Sequence, residues 1–101
     1  MASPLDISFE HDASIVARVV AGELILVPLT PGGAGKEPFL YTLDDVAAFL
    51  WEQMDGRRTG RDLAAVLQKK YEVDPARAEK DTLIFLEELR TIEAIHPVAV
   101  K

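Results

Sequence analysis

The stretch Phe39-Leu40-Tyr41-Thr42-Leu43-Asp44-Asp45-Val46-Ala47-Ala48-Phe49-Leu50-Trp51-Glu52-Gln53-Met54-Asp55-Gly56 decides the fold. Its first four residues are aromatic or branched and favour a pleated strand. The period then changes. Leu43, Val46, Ala47, Leu50 and Met54 recur at helical spacing, with Trp51 flanking. This first predicted helix stops at Asp55-Gly56, where glycine can adopt the left-handed conformation that ends a helix. Strand gives way to helix here, and the two sides of the chain differ accordingly.

Upstream lie two short apolar runs, Ser14–Val20 and Leu24–Leu29, separated by Ala21-Gly22-Glu23. They predict a β-hairpin, with Pro28 ending the second strand or lying at an edge. Thr30–Pro38 is a loop on every local signal. Residues 1–13 are polar and mixed, and are expected to form a flexible arm. Downstream, Thr59 with Asp62 three residues on resembles a capping box and opens a second helix with a stripe of Leu63, Val66, Leu67 and Tyr71. Asp74 and Pro75 open a third, whose buried face is Ala78, Thr82, Phe85, Leu86, Leu89 and Ile92. An extended tail, residues 96–101, ends the chain. The expected architecture is one α+β domain over residues 1–101, a three-stranded antiparallel sheet followed by three helices that cover one face of it.

Composition narrows the function. The chain has 101 residues, a net charge of −6 and no cysteine. This length suits one small core. Absence of cysteine removes disulfides and thiolate chemistry and fits a reducing compartment. Met1-Ala2-Ser3-Pro4 lacks the charged and apolar regions of a signal peptide, and no apolar run approaches the ~20 residues of a membrane helix. The expectation is a cytoplasmic domain that binds neither membrane nor nucleic acid. Residues 1–50 hold two basic and seven acidic side chains, net −5, and residues 51–101 hold nine and ten, net −1. Neither half offers the positive excess that phosphate binding needs.

Catalytic and cofactor motifs are missing. The loop Gly32–Lys36 resembles a phosphate loop, but Thr30 stands where the first glycine belongs and Glu37 replaces the magnesium-binding hydroxyl. Glu10, His11 and Asp12 are adjacent and cannot all converge on one ion from an unstructured arm. No serine has a nucleophile elbow. Asp44-Asp45 and Glu87-Glu88 are neighbours that point ~100° apart on a helix, so they are not paired acids. No catalytic residue, metal or cofactor is expected. Arg57, Arg58 and Arg61 form one basic cluster, read either as an exposed turn or as a dock for an acidic partner.

One apolar residue is left over. Stepping ~100° per residue along the third helix places Ile84 well off the buried stripe, on a flank shared with Arg77, Asp81 and Glu88. Single exposed apolar residues are common. If the third helix packs beside the third strand, however, this flank borders a sheet edge, and edge plus helix make a groove for an extended peptide. Main-chain hydrogen bonds at ~1 kcal/mol each and apolar pockets at ~1.5 kcal/mol or more, less the cost of ordering, predict micromolar or somewhat tighter binding. Whether the third strand lies at an edge is a matter of topology.

Residues 40–95 resemble the PqqD family, also called RiPP recognition elements or peptide chaperones. The resemblance rests on Leu40-Tyr41-Thr42-Leu43-Asp44, Ala47–Glu52 with Trp51, Met54–Thr59, Leu63-Ala64, Tyr71–Asp74, Asp81 and Phe85–Leu89, in this order. Gly22–Pro28 fits the family's hairpin. The resemblance implies a winged helix-turn-helix-like domain. It implies that the leader segment of a ribosomally made precursor peptide adds as a strand beside the third strand, against the third helix, and is presented to a modifying enzyme, often a radical SAM protein. Pyrroloquinoline quinone and related peptide pathways are the implied context. On this chain the peptide groove would use Phe39, Leu40, Tyr41 and Thr42 from the strand, and Arg77, Asp81, Ile84 and Glu88 from the helix, with Phe85 as floor. The chain departs from the family at Asp44, often asparagine, and at Glu93-Ala94, where glycine is common.

Two other readings remain open at this stage. A winged-helix DNA-binding regulator would place the third helix in the major groove, but that helix's charged residues Arg77, Lys80 and Arg90 face Glu79, Asp81, Glu87 and Glu88, net −1. An assembly subunit would dock on an enzyme, through Arg57–Arg61 for example, without touching substrate. Monomer and homodimer are both compatible with the sequence.

Overall fold

The structure is a computed structural model that describes residues 3–28 and 41–98. The Thr30–Pro38 loop, Phe39, Leu40 and the last tail residues lie outside the described residues.

The expected hairpin forms from β2 (Ile15–Val20) and β3 (Glu23–Pro28), in register from Ile15 opposite Pro28 to Val20 opposite Glu23. Its two-residue turn has Ala21 at φ +53° and Gly22 at φ +82°. Positive φ at both positions matches the right-handed twist of the flanking strands, and glycine adopts it without a Cβ penalty. The short strand β4 (Tyr41–Leu43) pairs with the other side of β3, with Leu26 opposite Tyr41 and Leu24 opposite Leu43. The order is β2-β3-β4, all antiparallel. Ile15, Leu26 and Leu43 from one face of this sheet enter the core.

Three helices cover that face: α1 (Asp45–Gln53), α2 (Gly60–Tyr71) and α3 (Pro75–Thr91). Each starts at a side-chain cap. Asp44 accepts from the Ala47 N–H, Thr59 and Asp62 form a reciprocal capping box, and Asp74 accepts from the Arg77 N–H. Leu43, assigned by spacing to the first helix, is instead the last strand residue. The Asp44 cap fixes the helix start after it. Leu50, Leu63, Leu67, Leu86 and Leu89 fill the centre, with Trp51 and Ala64 beside them. Tyr71, expected in the α2 stripe, lies at the surface. At the end of α3, Glu93 takes φ +58°. The Glu93 N–H reaches Arg90 O at 3.0 Å and the Ala94 N–H reaches Leu89 O at 2.9 Å. This is a Schellman turn built on glutamate, where glycine would be the usual residue.

The N-terminal segment corrects an expectation. Residues 3–12 are not a loose arm but part of the domain. Pro4–Asp6 makes a 3-10 turn, and β1 (Phe9–His11) pairs antiparallel with β5 (Ile95–Pro97), giving a second, two-stranded sheet. The reason is an alternation within a polar composition. Leu5, Ile7 and Phe9 all turn towards the core, and Phe9 is 0% exposed. Burying a phenyl ring contributes ~1.5–3 kcal/mol, enough to hold a short segment. The extended tail is therefore a paired strand as far as Pro97.

The two terminal strands are tied to the helices. The Gly60 N–H donates to Ile7 O at 3.0 Å, and the Ser8 hydroxyl donates to Arg57 O at 2.8 Å. His11 stacks on Trp51 with ring centroids 3.6 Å apart and planes within 4°. Its Nε2 lies 2.9 Å from Trp51 O, which a neutral ring satisfies by donating. Burial lowers the His11 pKa below its ordinary 6.5, partly offset by that backbone hydrogen bond.

Two outcomes follow. A Cβ on Gly60 would stand 2.6 Å from Pro4 O and 2.9 Å from Leu5 Cα, both backbone atoms. Gly60→Ala should therefore cost ~1–3 kcal/mol, read by chemical denaturation. His11 adds stability that is present above pH 6.5 and lost as pH falls through its lowered folded-state value. Acidification from about pH 7.5 to about 5.5 should lower the thermal midpoint more in the wild type than in His11→Gln; equal slopes would contradict this.

Candidate functional site

Among the described residues β4 is paired on one side only, with β3. Its other margin faces α3 across a groove of about 320 Å³. Tyr41 and Leu43 line it from the strand, Asp44, Val46, Ala47 and Leu50 from the start of α1, and Arg77, Asp81, Ile84, Phe85, Glu88 and Leu89 from α3. The floor is apolar, since Leu43, Leu50, Phe85 and Leu89 are buried. The rim is polar. Arg77 Nε donates to Asp81 at 3.1 Å, and the Tyr41 hydroxyl donates to Glu88 at 2.5 Å. Ile84, one helical turn before Glu88, is 46% exposed.

The structure brings together Tyr41, Arg77, Asp81, Ile84, Phe85 and Glu88, the described groove residues singled out in the sequence, with one exception. Thr42 is exposed and does not line the groove, because successive strand residues point to opposite faces. The residue that shares Tyr41's face is Leu43. Period-two spacing from Tyr41 was the signal that could have identified it. Asp44, Val46 and Ala47 were missed as well, since the strand-to-helix handover folds the first turn of α1 into the groove wall. Phe39 and Leu40 lie outside the described residues.

The electrostatics are local. The hydrogen bond to Glu88 is the main cause that pushes the Tyr41 phenol up to about 12, with burial and the nearby Glu88 and Asp44 charges adding to it. The carboxylate holds the phenol proton in place, and Tyr41 stays neutral through the ordinary pH range. Glu88 has no cationic partner among the described residues.

The arginine cluster is largely engaged within the fold. Arg61 pairs with Asp6 at 3.1 Å and with Glu79 at 3.7 Å. Arg58 donates to Gln53 O at 2.9 Å and lies 3.7 Å from Asp55. The backbone N–H groups of Arg58 and Arg57 donate to Asp55, holding its carboxyl below the usual range. The Arg57 side chain is exposed. A second cleft, about 410 Å³, lies between the β2–β3 turn and α1, with Glu23, Asp44, Asp45 and Glu52 around Val19 and Leu24. Among the described residues no group of three His, Asp or Glu side chains is placed to hold a metal ion, and no helix is long and apolar enough to cross a membrane.

An open strand edge facing an apolar-floored groove under a helix is the geometry of a domain that can take up an extended segment by strand addition. A family model described as coenzyme PQQ synthesis protein D (PqqD) matches residues 30–95. The chain belongs to the PqqD family. Solved structures share its fold. A lasso peptide synthetase B1 complexed with the leader peptide superposes with a TM-score of 0.73 at 21% identity, over 89% of this chain and 99% of that one. TbiB1 in complex with the TbiA(beta) leader peptide gives 0.72 at 21% identity, over 90% and 99%. The PqqD truncation of Methylobacterium extorquens PqqCD, a stand-alone RiPP recognition element, gives 0.68 at 24% identity, over 92% and 97%. No curated protein matches the chain.

The Tyr41–Glu88 bond has a direct readout. In Glu88→Gln the Tyr41 phenol should titrate nearer 10, its ordinary value, than 12, followed by the tyrosine ring signals in NMR. An unchanged midpoint would show that burial alone sets it.

Proposed function

We propose that this protein is a non-catalytic module that binds the leader segment of a ribosomally synthesised precursor peptide and presents it to a modifying enzyme. The peptide adds as a strand along the outer margin of β4, next to Tyr41 and Thr42. Its side chains meet Arg77, Asp81, Ile84, Phe85 and Glu88 of α3. The observation that carries this reading is the side of β4 beside the groove, which no strand among the described residues pairs. An exposed row of main-chain donors and acceptors gives register and affinity, and the apolar floor gives pockets for alternate side chains. Membership of the PqqD family and the leader-peptide complexes of two similar structures support it. The modifying enzyme is of the radical SAM type, and Arg57, whose exposed side chain makes no ion pair among the described residues, is the arginine of the 57–61 cluster best placed for such a dock.

The DNA-binding alternative finds no support in the helix it needs. The charged residues of α3, Arg77, Lys80 and Arg90 against Glu79, Asp81, Glu87 and Glu88, give no positive excess for phosphate.

The test is a titration of the isotope-labelled protein with candidate leader peptides encoded beside its gene. Amide shifts should concentrate on β4 and α3. Ile84→Asn, an exposed and uncharged change, should weaken binding ~10-fold by removing one apolar contact of ~1.5 kcal/mol while leaving amide dispersion intact. Shifts confined to other elements, or affinity indifferent to Ile84→Asn, would sink the reading.

A further inference from the structure

We infer that the groove selects a basic peptide, in which one lysine or arginine lays its aliphatic stem on Ile84 and sets its cationic head on Glu88. The inference rests on the peptide-binding reading above and names the chemistry of the ligand that groove takes.

Charge accounting at the rim leads to Glu88. The rim holds three carboxylates, Asp44, Asp81 and Glu88, against one cation, Arg77. Asp81 is neutralised by Arg77 at 3.1 Å. Asp44 is committed to capping α1, where the positive end of the helix dipole meets it. Among the described residues Glu88 accepts only from the Tyr41 phenol, a neutral donor that leaves the negative charge uncompensated. A long cationic side chain answers both features of this wall. Ile84 and Glu88 are four residues apart and share one helix face, with Ile84 46% exposed. Lysine and arginine bury their stems on apolar surface while keeping the head in water. The floor residues Leu43, Leu50 and Phe85 accept many apolar side chains, so charge at Glu88 discriminates where shape does not. An incoming acid would meet Glu88 at close range and be rejected.

The whole protein is also acidic, with a net charge of −6, and attracts any basic peptide weakly. The experiment separates that general attraction from a specific contact. The full chain is immobilised and panned with a phage-displayed library of random twelve-residue peptides. Lysine or arginine should be enriched over the input at one position of the retained sequences. The best of these peptides, and analogues with that residue changed to glutamine, are then synthesised and measured by fluorescence anisotropy. Glu88→Gln should weaken the cationic peptide ~3- to 10-fold. Glu52→Gln, which removes the same charge from the second cleft, should change it less than ~2-fold. The analogue should lose the same factor with wild type and nothing further with Glu88→Gln.

No enrichment of cations, or equal losses in Glu52→Gln and Glu88→Gln, overturns the inference. If such peptides still depend on Ile84, the groove reading stands alone. If no retained peptide is weakened by Ile84→Asn, the groove reading falls and this one with it.

Discussion

A three-stranded sheet has two edges and two faces, and this structure depends on which of them stays open. One face of β2-β3-β4 is sealed by helices, with Leu26 and Leu43 buried in the core. The margin of β4 is not sealed among the described residues. Open edges invite uncontrolled pairing. Here that risk is limited by geometry, because α3 stands across the groove from β4. A broad sheet cannot approach such a margin. A single extended segment can.

The stability that tolerates an open edge comes from the chain ends. A domain of this size buries a modest share of its surface, and the β1–β5 pair adds Phe9, Ala94 and Ile95 to the same core. It also fixes α3. The helix is capped by Asp74 at one end, and at the other the Glu93 turn sends the chain straight into β5, which pairs with β1. The groove wall is therefore anchored at both ends. Among the described residues, Thr82, fully buried on the core side of α3 with its hydroxyl lacking a hydrogen-bond partner, is a buried side chain where packing is given preference over polar satisfaction.

Much of this was legible in the sequence. Caps at Asp44, Thr59 and Asp74 are local chemistry, and a side chain three residues from a free N–H announces itself. The strand-to-helix change of period at residues 39–56 set the order of elements. The off-stripe position of Ile84 needed only the helical repeat. The arm was misjudged for a physical reason. Leu5, Ile7 and Phe9 alternate through only five residues, and their partners, Ile95 and the start of α2, are more than fifty residues away in sequence. A pattern that short has no meaning until the distant surface is known. That the Thr42 side chain does not line the groove was hidden for a different reason. Composition marks a strand, but only the pleat says which side faces the groove. The turn at Glu93 shows the opposite limit, since a non-glycine residue occupies a left-handed position that tertiary contacts impose.

The Tyr41–Glu88 bond sets how tightly such a groove can hold. It crosses from β4 to α3 at the rim and defines the width of the mouth before any ligand arrives. It lies exposed, so water competes with it and its net contribution is ~1 kcal/mol or less. A cationic head that reaches Glu88 shares or replaces this bond, and the phenol can turn to water at little cost. The gain from the new contact is thus the difference between two donors to one carboxylate, not the full strength of an ion pair. Strand addition contributes hydrogen bonds on the same modest net scale, each opposed by ordering of the peptide. These magnitudes place the complex in the micromolar range or somewhat tighter. A complex on this scale discriminates by register and still releases its ligand quickly.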